Sequence, residues 1–497
     1  MRKKLAVIGI LLLALLGAIK SQKAKLTGQL DKKPNVLFLA IDDLNDWTGM
    51  LKGNTQAKTP QLDKLAAKGM VFTNAHCAAP ACGPSRSAIM SGIRPSTSGN
   101  YINKNSLTRN PKLNNSVLLP EFFQQNGYYV LGSGKLFHGA HFKEELQGRG
   151  FDVYAPSKTK DLFPWIDRFS SPRPLKGFSG GPFYHDWGPY APDVKLEDIN
   201  DGKTAKWTQE QLLNGQLQEP FFLGAGIFQP HLPNYALQEY FDKFPLDEIV
   251  LPEGYLKNDL EDVPEASSKQ PHISAAKAIP EVGQRKHAIQ AYLAASAMTD
   301  DLIGRIVAAL EKSKYADNTI IVLWSDHGFQ LGEKERWEKF SLWERATRVN
   351  LVWVAPGVTQ PGSTSDKPVN LLDIYPTLAS LTGIKPPDNQ LEGKDLSVLM
   401  KDPEASGFET TLTTFGFKNY AVRSDQYRYI VYADGSEEFY DHSNDKWEWK
   451  NLANNPEYSA LKNKLRQQIP AYHEPIGPIQ PKFERKRATS IKEEHSK

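Results

Sequence analysis

Residues that could bind a metal ion or an anion follow four separate apolar runs of this sequence. They are Asp42 and Asp43 after the first run, Lys135 after the second, His231 after the third, and Asp326 with His327 after the fourth. Asp42, Asp43 and Asp326 offer hard oxygen ligands, which suit Ca²⁺ or Mg²⁺. An acidic pair alone can equally be a solvated feature or a helix cap. Four apolar runs that are each followed by such polar residues together predict one polar site.

Cys82 begins the motif Cys82-Gly-Pro-Ser-Arg86, the segment of the chain in which informative residues lie closest together. Pro84 and the residues after it predict that Cys82 begins a helix, where the helix dipole favours anions. The chain has only two cysteines, which excludes a disulfide framework, and a bridge between them would close a very small loop. Cys82 is therefore a candidate nucleophile or a small buried residue, whereas Cys77 lacks such a context and is expected to be a small buried hydrophobe.

The four apolar runs are rich in β-branched residues and apolar on both faces, which is typical of buried parallel strands. They span residues 35–41, 127–132, 221–227 and 319–324. Helical patterns lie between them, for example from Thr59 onward and over residues 291–310. This alternation predicts an α/β layer fold with a mostly parallel sheet. Because ligands of such sheets bind at the carboxyl ends of the strands, the polar residues lie where the fold would place a site.

We predict a catalytic domain over residues 30–400 and a smaller C-terminal subdomain over residues 405–475. The subdomain begins where the sequence changes to short alternating runs, which are typical of a small antiparallel sheet. A helix over about residues 456–468 is expected to follow, and residues 481–497 should form a flexible, mildly basic tail. The sequence shows no internal repeats.

Two long irregular stretches, residues 156–201 and 252–284, interrupt the alternation of strands and helices. Long loops in compact domains are usually functional or disordered. The first stretch is rich in aromatic residues, among them Trp165, Trp187 and Tyr190. We therefore expect it to face a substrate.

Composition excludes several classes of protein. Of the 497 residues, 40% are hydrophobic and 24% charged, which is ordinary globular usage and excludes collagen-like and low-complexity chains. The formal net charge of +3 falls to −1 without the four basic residues among the first 21. No strongly basic field then remains to favour binding to nucleic acid or to an anionic membrane.

The first 21 residues are typical of a signal peptide. Arg2-Lys3-Lys4 precedes an apolar run over residues 5–18, which is shorter than the ~20 residues that span a bilayer. We predict a signal peptide over residues 1–21 without stable membrane insertion, and hence an exported protein, periplasmic or secreted. An uncleaved membrane anchor is the alternative.

The run from Cys82 to Gly92 resembles the type I sulfatase signature C-x-P-S-R-x-x-x-x-(T/S)-G. The resemblance extends over about residues 33 to 450. Its other motifs are P-N-V-L-F-L-A-I-D-D-L near the start, G-K-L-F-H at Gly134, Q-P-H at Gln229, S-D-H-G at Ser325 and the run that begins at Trp337. Among sulfatases these variants are most similar to the iduronate-2-sulfatase branch. The resemblance implies an alkaline-phosphatase-like α/β/α sandwich with a smaller C-terminal antiparallel sheet.

The resemblance also implies a modified nucleophile and a metal. Cys82 would be oxidised to formylglycine by a maturation enzyme that reads the cysteine, proline and arginine of the signature. The hydrated aldehyde would attack sulfur with one hydroxyl, and its second hydroxyl would allow sulfate to leave. The implied metal ligands are Asp42, Asp43, Cys82, Asp326 and His327, holding Ca²⁺ rather than Mg²⁺. His327 is a ligand on the family pattern alone, and its alternative is a packing role.

The remaining roles come from the same resemblance. Arg86 would hold the formylglycine and Lys135 the sulfate, since both roles need a fixed positive charge. His138 would deprotonate the intermediate, and His231 and Lys339 would bind sulfate oxygens, one of them donating a proton. Two further histidines, His76 and His185, are candidates for substrate contact.

The implied substrate is a sulfated polysaccharide or oligosaccharide, with uronate 2-sulfate expected first and galactose sulfate second. One alternative is a phosphodiester or phosphonate hydrolase of the same superfamily. Another is a non-catalytic glycan-binding relative in which Cys82 remains a thiol. The intact mass of the peptide that contains Cys82 distinguishes this last alternative from a sulfatase.

Overall fold

The structure is a computed structural model that describes residues 32–138, 149–155, 186–268 and 282–481. The predicted signal peptide lies outside these ranges, as does the predicted tail after residue 481. Most of the aromatic stretch, including Trp165 and His185, also lies outside them. Among the helices in the described ranges, none combines the length and apolarity needed to cross a bilayer.

Eighteen strands occur in the described ranges. They are β1 (Asn35–Ile41), β2 (Met70–Phe72), β3 (Ala75–His76), β4 (Tyr129–Gly134), β5 (Val153–Ala155), β6 (Trp187–Pro189), β7 (Phe221–Ile227), β8 (Asn234–Ala236), β9 (Thr319–Ser325), β10 (Gln330–Leu331), β11 (Trp337–Glu338), β12 (Leu351–Val354), β13 (Ser363–Ser365), β14 (Val369–Asn370), β15 (Thr411–Thr414), β16 (Tyr420–Arg423), β17 (Tyr427–Val431) and β18 (Glu437–Asp441).

The main sheet has eight strands in the order β13-β2-β12-β9-β1-β7-β4-β5. All neighbouring pairs are parallel except those that β12 makes with β9 and β2. The mostly parallel sheet predicted from the apolar runs is thereby confirmed. The four strands predicted from the sequence, β9, β1, β7 and β4, are adjacent at its centre.

Thirteen α-helices lie in the same described ranges. They are α1 (Pro60–Ala66), α2 (Cys82–Ser91), α3 (Pro95–Ser98), α4 (Pro111–Asn114), α5 (Leu119–Gln125), α6 (Asn200–Leu213), α7 (Gln238–Phe241), α8 (Glu265–Ser268), α9 (Val282–Lys312), α10 (Glu344–Thr347), α11 (Ile374–Thr382), α12 (Ser397–Lys401) and α13 (Ser459–Arg466). Short 3₁₀ turns lie at Leu196–Asp198, Leu246–Glu248, Ala316–Asn318, Glu333–Glu335, Leu371–Asp373 and Pro456–Tyr458.

Helices cover both faces of the main sheet. Every residue of β1 is buried, and its side chains alternate between two hydrophobic cores because successive side chains of a strand point to opposite faces. Leu37 and Leu39 belong to the core that contains α6 and α9. Val36 and Phe38 belong to the core that contains α5 and α11. This is the α/β/α sandwich expected from the resemblance.

The C-terminal part of the chain forms a second, four-stranded sheet in the order β15-β16-β17-β18, with every neighbouring pair antiparallel. The predicted small antiparallel sheet is confirmed. One of its faces packs on Leu342 and Trp343, which belong to the catalytic part of the chain, and the other packs on α13 residues such as Leu465.

The strand predicted over residues 127–132 instead runs from Tyr129 to Gly134. Gly127 has a φ of 83°, which belongs to the turn after α5 and delays the start of the strand. The shift places the end of β4 directly before Lys135.

Candidate active site

Four adjacent strands deliver the predicted polar residues to one edge of the main sheet. Asp42 directly follows β1, Asp326 directly follows β9, Lys135 directly follows β4, and His231 lies four residues after β7. Backbone hydrogen bonds continue the sheet into these residues, from the Asp42 nitrogen to the Ile227 carbonyl at 3.1 Å and from the Asp326 nitrogen to the Ile41 carbonyl at 3.1 Å. Their side chains therefore emerge from a rigid edge.

Asp43 has an unusual backbone conformation, with a φ of 60°. Residues other than glycine rarely adopt such angles, and they persist only where the surroundings hold them. Here the Tyr292 hydroxyl donates to the Asp43 carbonyl at 2.8 Å and accepts from the Asn45 nitrogen at 2.9 Å. The Asp43 nitrogen donates to Asp326 Oδ1 at 3.1 Å. These contacts fix the backbone that carries the Asp43 side chain beside Asp326. We call Asp42, Asp43 and Asp326 the carboxylate cluster.

Two glycines shape the backbone that leads to Lys135. Gly134 has a φ of 71°, and a Cβ there would lie 2.0 Å from the Gly226 carbonyl oxygen. A Cβ on Gly226 would lie 2.3 Å from the Lys135 backbone. Both positions therefore require glycine, and the close approach of β4 to β7 brings Lys135 over the cluster.

Cys82 is the first residue of α2, as predicted, and is 1% exposed. Its Sγ lies 3.2 Å from His327 Nε2. One turn later on α2, Arg86 Nε donates to Asp326 Oδ2 at 2.8 Å, and another guanidinium nitrogen lies 3.4 Å from Asp42 Oδ1. Arg86 also donates to the carbonyl of Lys135, so it links the nucleophile helix, the carboxylate cluster and the end of β4.

Two buried lysines contact different members of the carboxylate cluster. Lys135 Nζ bonds the Asp42 carboxylate. Lys339 Nζ lies 2.7 Å and 2.6 Å from the two carboxylate oxygens of Asp43. Lys339 reaches this position from the segment after β11, where the Phe340 nitrogen donates to the Pro80 carbonyl at 3.2 Å. The two ammonium groups thus sit where an anionic group of a substrate would need them.

The two histidines present their Nε2 atoms to the site. The Nδ1 of His327 lies 3.0 Å from the Gly328 carbonyl and that of His231 lies 2.5 Å from the Leu232 carbonyl. Since a carbonyl only accepts hydrogen bonds, both Nδ1 atoms carry the hydrogen, and Nε2 is free to accept. His327 Nε2 lies 3.4 Å from Asp43 Oδ1. His231 Nε2 lies 3.9 Å from Asp43 Oδ2.

Burial acts to raise the pKa of each carboxyl group in the cluster, and neighbouring charges then separate them. At Asp42 the positive charges, Lys135 first and Arg86 among them, outweigh burial and hold the pKa well below its ordinary range. At Asp326, burial prevails over the opposing charge of Arg86 and raises the pKa to about 6.

Asp43 has the most strongly raised pKa of the three acids. Burial raises its pKa to about 8; Lys339 opposes the rise, and the charges of Asp42 and Asp326 add to it. Burial and the charge of Asp42 also raise the pKa of the Cys82 thiol well above its ordinary value, which keeps the sulfur protonated. Three carboxylates face two lysines and one arginine, so the formal charges balance, but burial leaves Asp43 as the acid whose charged form is least stabilised.

The donor atoms fit a hard divalent cation. Asp42, Cys82, Asp326 and His327 can each point a ligand atom to within 4.8 Å of the others, and a second overlapping set contains Asp43. Asp42 Oδ1 is buried and has no hydrogen-bond partner. His327 Nε2 lies 3.4 Å from Asp43 Oδ1 and 3.6 Å from Asp326 Oδ1, and a cation between these atoms would have all three as ligands.

The structure brings together nine of the predicted site residues. They are Asp42, Asp43, Cys82, Arg86, Lys135, His231, Asp326, His327 and Lys339. His138 is partly buried three residues beyond Lys135, and its catalytic role stays a prediction. His76 is fully buried and bonded to Asn74 Oδ1 at 2.8 Å, so its surroundings are those of a packed core histidine and not those of a substrate contact. Cys77 is a buried free cysteine, as expected.

Asp201 is a buried residue of the site that sequence reasoning missed. It lies at the start of α6, and its two carboxylate oxygens accept hydrogen bonds of 2.8 Å from the nitrogens of Phe228 and Gln229. The Phe228 ring in turn packs 4.9 Å from Lys135 Nζ and 4.6 Å from the His231 ring. Asp201 therefore fixes the turn after β7 that carries His231. A lone aspartate in an irregular stretch gave no sequence signal for this role.

The eight-stranded sheet with helices on both faces, and with its acids and cations at one edge, has the alkaline-phosphatase-like α/β/α fold. Among solved structures, the phosphonate monoester hydrolase SpPMH from Silicibacter pomeroyi matches 88% of this chain and 94% of its own, with a TM-score of 0.72 at 20% identity. A 2-O glycosaminoglycan sulfatase, BT1596, matches 88% and 91%, with a TM-score of 0.65 at 23% identity. Both likenesses are evidence of the fold alone.

Sequence comparison narrows the class to a family. Residues 34–384 match the family described as Sulfatase, and residues 332–474 match the family described as N-sulphoglucosamine sulphohydrolase, C-terminal. A sulfatase of Formosa agariphila is 40% identical over 92% of this chain and 90% of its own length. Human iduronate 2-sulfatase is 30% identical over 71% of this chain and 70% of its own. The chain belongs to the sulfatase family and is a sulfuric ester hydrolase, which confirms the resemblance seen in the sequence.

Proposed function

We propose that this protein removes sulfate from a sulfated carbohydrate, with formylglycine derived from Cys82 as nucleophile and with Ca²⁺, in preference to Mg²⁺, on the carboxylate cluster. The convergence of Cys82, the three acids and His327 at one sheet edge, between Lys135 and Lys339, carries this proposal. When bound, the cation and the hydrated aldehyde together would supply an activated oxygen nucleophile and neutralise charge on the sulfate.

The chain's own cations would hold the sulfate. With the carboxylates neutralised by a divalent ion, the ammonium groups of Lys135 and Lys339 no longer need to pair with Asp42 and Asp43 and can bind sulfate oxygens. Both are fixed in place, Lys135 by the end of β4 and Lys339 by the link between Phe340 and Pro80. Preorganised positive charge of this kind stabilises the charge that develops as the ester bond breaks.

His231 is proposed to donate the proton that the departing sugar oxygen needs. Its Nδ1 is committed to the Leu232 carbonyl, so Nε2 is the atom that can carry a proton into the site. In the free protein, burial and the charges of Lys339 and Lys135 hold the pKa of His231 well below its ordinary value, so the ring is neutral. The negative charge of a bound sulfate ester would favour the protonated form that the general acid requires. His138 is proposed as the base that removes a proton at the nucleophile side.

A saccharide substrate is supported by the relatives. An ulvan-active sulfatase of Formosa agariphila is 28% identical over 89% of this chain and 82% of its own length. Together with iduronate 2-sulfatase, it favours a sulfated polysaccharide, with uronate 2-sulfate first and galactose sulfate second. The aromatic stretch expected to face the sugar lies mostly outside the described residues. Export also stays a proposal, supported by the charged and apolar pattern of residues 1–21.

Two measurements test the proposal. The intact mass of the peptide that contains Cys82 should correspond to the aldehyde or its hydrate, and a mass equal to that of the unmodified thiol would contradict it. A panel of defined sulfated oligosaccharides should include one from which the enzyme releases sulfate. Activity confined to 4-nitrophenyl sulfate would overturn the saccharide assignment, and faster hydrolysis of a phosphate diester would favour the phosphodiesterase alternative.

A further inference from the structure

A pocket lies beside the active site, between the main sheet and the C-terminal sheet. Its volume is about 520 Å³, within the ~300–1,000 Å³ typical of ligand pockets. Its walls come from the loop after β1, from α10, and from the turns that follow β16 and β18. We call it the boundary pocket. Nothing in the sulfate chemistry derived above uses it.

The floor of the boundary pocket carries two arginines that share one carboxylate. Arg345 and Arg348 both pair with Asp46 Oδ2, the second at 3.2 Å. In the part of the chain that the structure describes, no other carboxylate oxygen lies within 4 Å of either guanidinium. The pair therefore retains about one positive charge without a contacting counter-ion. Arg345 is only 8% exposed and its Nε has no hydrogen-bond acceptor.

Other acids near the boundary pocket offset this charge only in part. Buried Glu333 acts on Arg345 without contacting it, but burial raises the pKa of Glu333 and so disfavours its charged form, and Glu253 is paired with Lys446 at 3.3 Å. Glu344 is already paired with Arg423 at 3.2 Å and with Arg428. Asp366 and Asp425 lie on the exposed rim, where water and salt screen them. On the same rim, Lys52 is exposed and makes no ion pair within the described ranges, so it adds positive charge at the mouth.

Trp447 fixes the charged floor in place. Its ring packs 4.4 Å from the Arg345 guanidinium, and Arg345 in turn contacts Asp46. Such a cation–π contact holds the guanidinium in one orientation and limits its hydration. A buried, weakly hydrated and immobile guanidinium is the kind of group that binds carboxylates and sulfate esters well.

The boundary pocket is close to the carboxylate cluster. The α10 carbonyl of Ala346 accepts a hydrogen bond of 2.9 Å from the nitrogen of Gly328, the residue after His327. Asp46 follows Asp42 by four residues, which places their Cα atoms at most about 14 Å apart. This separation is within the length of a short oligosaccharide, and a second contact on the same chain would strengthen binding through effective concentration.

We propose that the boundary pocket binds an anionic group, carboxylate or sulfate ester, on a sugar next to the one that loses its sulfate. This inference rests on the proposed saccharide substrate. The pocket would thus select polymeric anionic substrates without taking part in ester cleavage.

The test uses the Cys82→Ala chain, which binds without turnover, and isothermal titration with a heparin hexasaccharide and its carboxyl-reduced form. Arg348→Gln in that background should weaken binding of the native hexasaccharide at least fivefold. Loss with both forms indicates a sulfate ester in the pocket, and loss with the native form alone indicates a carboxylate. Lys52→Glu, an exposed change that leaves the core intact, should give at least a threefold loss. Lys385→Gln, which removes an exposed charge elsewhere, is the matched control.

Separate outcomes distinguish the two proposals. Unchanged affinity in both Arg348→Gln and Lys52→Glu, or no binding of the native hexasaccharide at all, overturns the boundary pocket. In the otherwise native enzyme, neither change should alter turnover of 4-nitrophenyl sulfate more than twofold, and a parallel fall with that small ester would show a general defect and overturn the pocket as well. Failure to release sulfate from any saccharide overturns the proposed function instead.

Discussion

Two groups of buried charges lie near each other in this protein, and both bring carboxylates and a histidine within ligand distance. One is the carboxylate cluster. The other, which we call the arginine network, joins α10 to the C-terminal sheet and consists of Glu344, Glu448, Arg423, Arg428 and His442. Geometry alone would nominate both as metal sites.

The two groups differ in how far neighbouring positive charges stabilise their buried carboxylates. In the arginine network, Arg428 lies 2.6 Å from Glu448 and also bonds Glu344, and Arg423 lies 3.2 Å from Glu344. Burial acts to raise the pKa of Glu344 and Glu448, but the arginines outweigh it and hold both below their ordinary values. In the carboxylate cluster the opposite holds at Asp43, where burial outweighs the neighbouring positive charge and raises the pKa. The network is complete without a ligand, whereas the cluster needs one.

The largest expected effect is a loss of turnover without a loss of stability in variants of Cys82. Cys82→Ala should lower turnover on the order of 10⁴-fold or more, because the nucleophile is lost, while the melting temperature stays within about 2 °C of wild type. Cys82→Ser should be equally inactive in a host that matures only cysteine. Steady-state rates with 4-nitrophenyl sulfate and a thermal melt measure both. Full activity of either variant with an unchanged melt refutes the assignment.

The next largest effect is a loss of stability when the arginine network is mutated. Arg428→Met leaves two buried carboxylates short of a partner and should lower the free energy of unfolding by about 3–5 kcal/mol. Urea denaturation in EDTA and in CaCl₂ should give the same loss, because the network binds no metal. A loss that disappears when calcium is added would place a metal in the network and remove the contrast between the two regions.

Calcium should act on the carboxylate cluster alone. At a free concentration a hundred times its Kd, Ca²⁺ should stabilise the wild-type protein by about 2.7 kcal/mol. Asp43→Asn should reduce this gain, and Glu448→Gln should leave it unchanged. The measurement is denaturant unfolding with and without chelator, and equal gains in the two variants would contradict the assignment.

The last pair of effects concerns the direction in which stability changes with pH. In metal-free protein the pKa of Asp43 is about 8 when folded, against an ordinary 3.8, so the native state holds a proton that the unfolded chain releases. Stability therefore falls as pH rises between about 4 and 8, by at most about 1.4 kcal/mol per pH unit, and Asp43→Asn should remove that slope. Denaturant unfolding in EDTA from pH 5 to 8 measures it, and parallel curves for wild type and variant would be evidence against it.

The arginine network should respond in the opposite direction. The pKa of Glu344 and that of Glu448 lie below the ordinary 4.5, so their stabilisation is complete above that pH and is lost as the pH falls through the folded values. The deficit of Glu448→Gln relative to wild type should be constant from pH 5 to 8 and shrink in acid. A deficit that grows in acid would contradict the pairing.

The sequence predicted the parts of the site that a strand end or a motif marks. Asp42, Asp326 and Lys135 directly follow buried apolar runs, and adjacent parallel strands must end at one edge. Tyr292 and Asp201 could not be predicted, since their partners are Asp43, 249 residues away, and the turn after β7, and neither residue stands in a pattern.

The arginine network was missed for a related reason. Glu344 and Arg428 are 84 residues apart and pair only because α10 and the C-terminal sheet pack together. Charged residues in a helix start and in an alternating strand are ordinary in sequence. Their burial, and so their energetic weight, exists only in the folded chain.

The burial of Cys82 also determines whether this residue can be modified before or after the chain folds. At 1% exposure, within the first turn of α2 and behind the link between Phe340 and Pro80, this side chain is out of reach of any other protein once folding is complete. The oxidation proposed for it must therefore occur on nascent or unfolded chain. The fraction of active protein in a cell then depends on the rate of modification relative to the rate of folding. Variants that fold more slowly give the modifying enzyme more time.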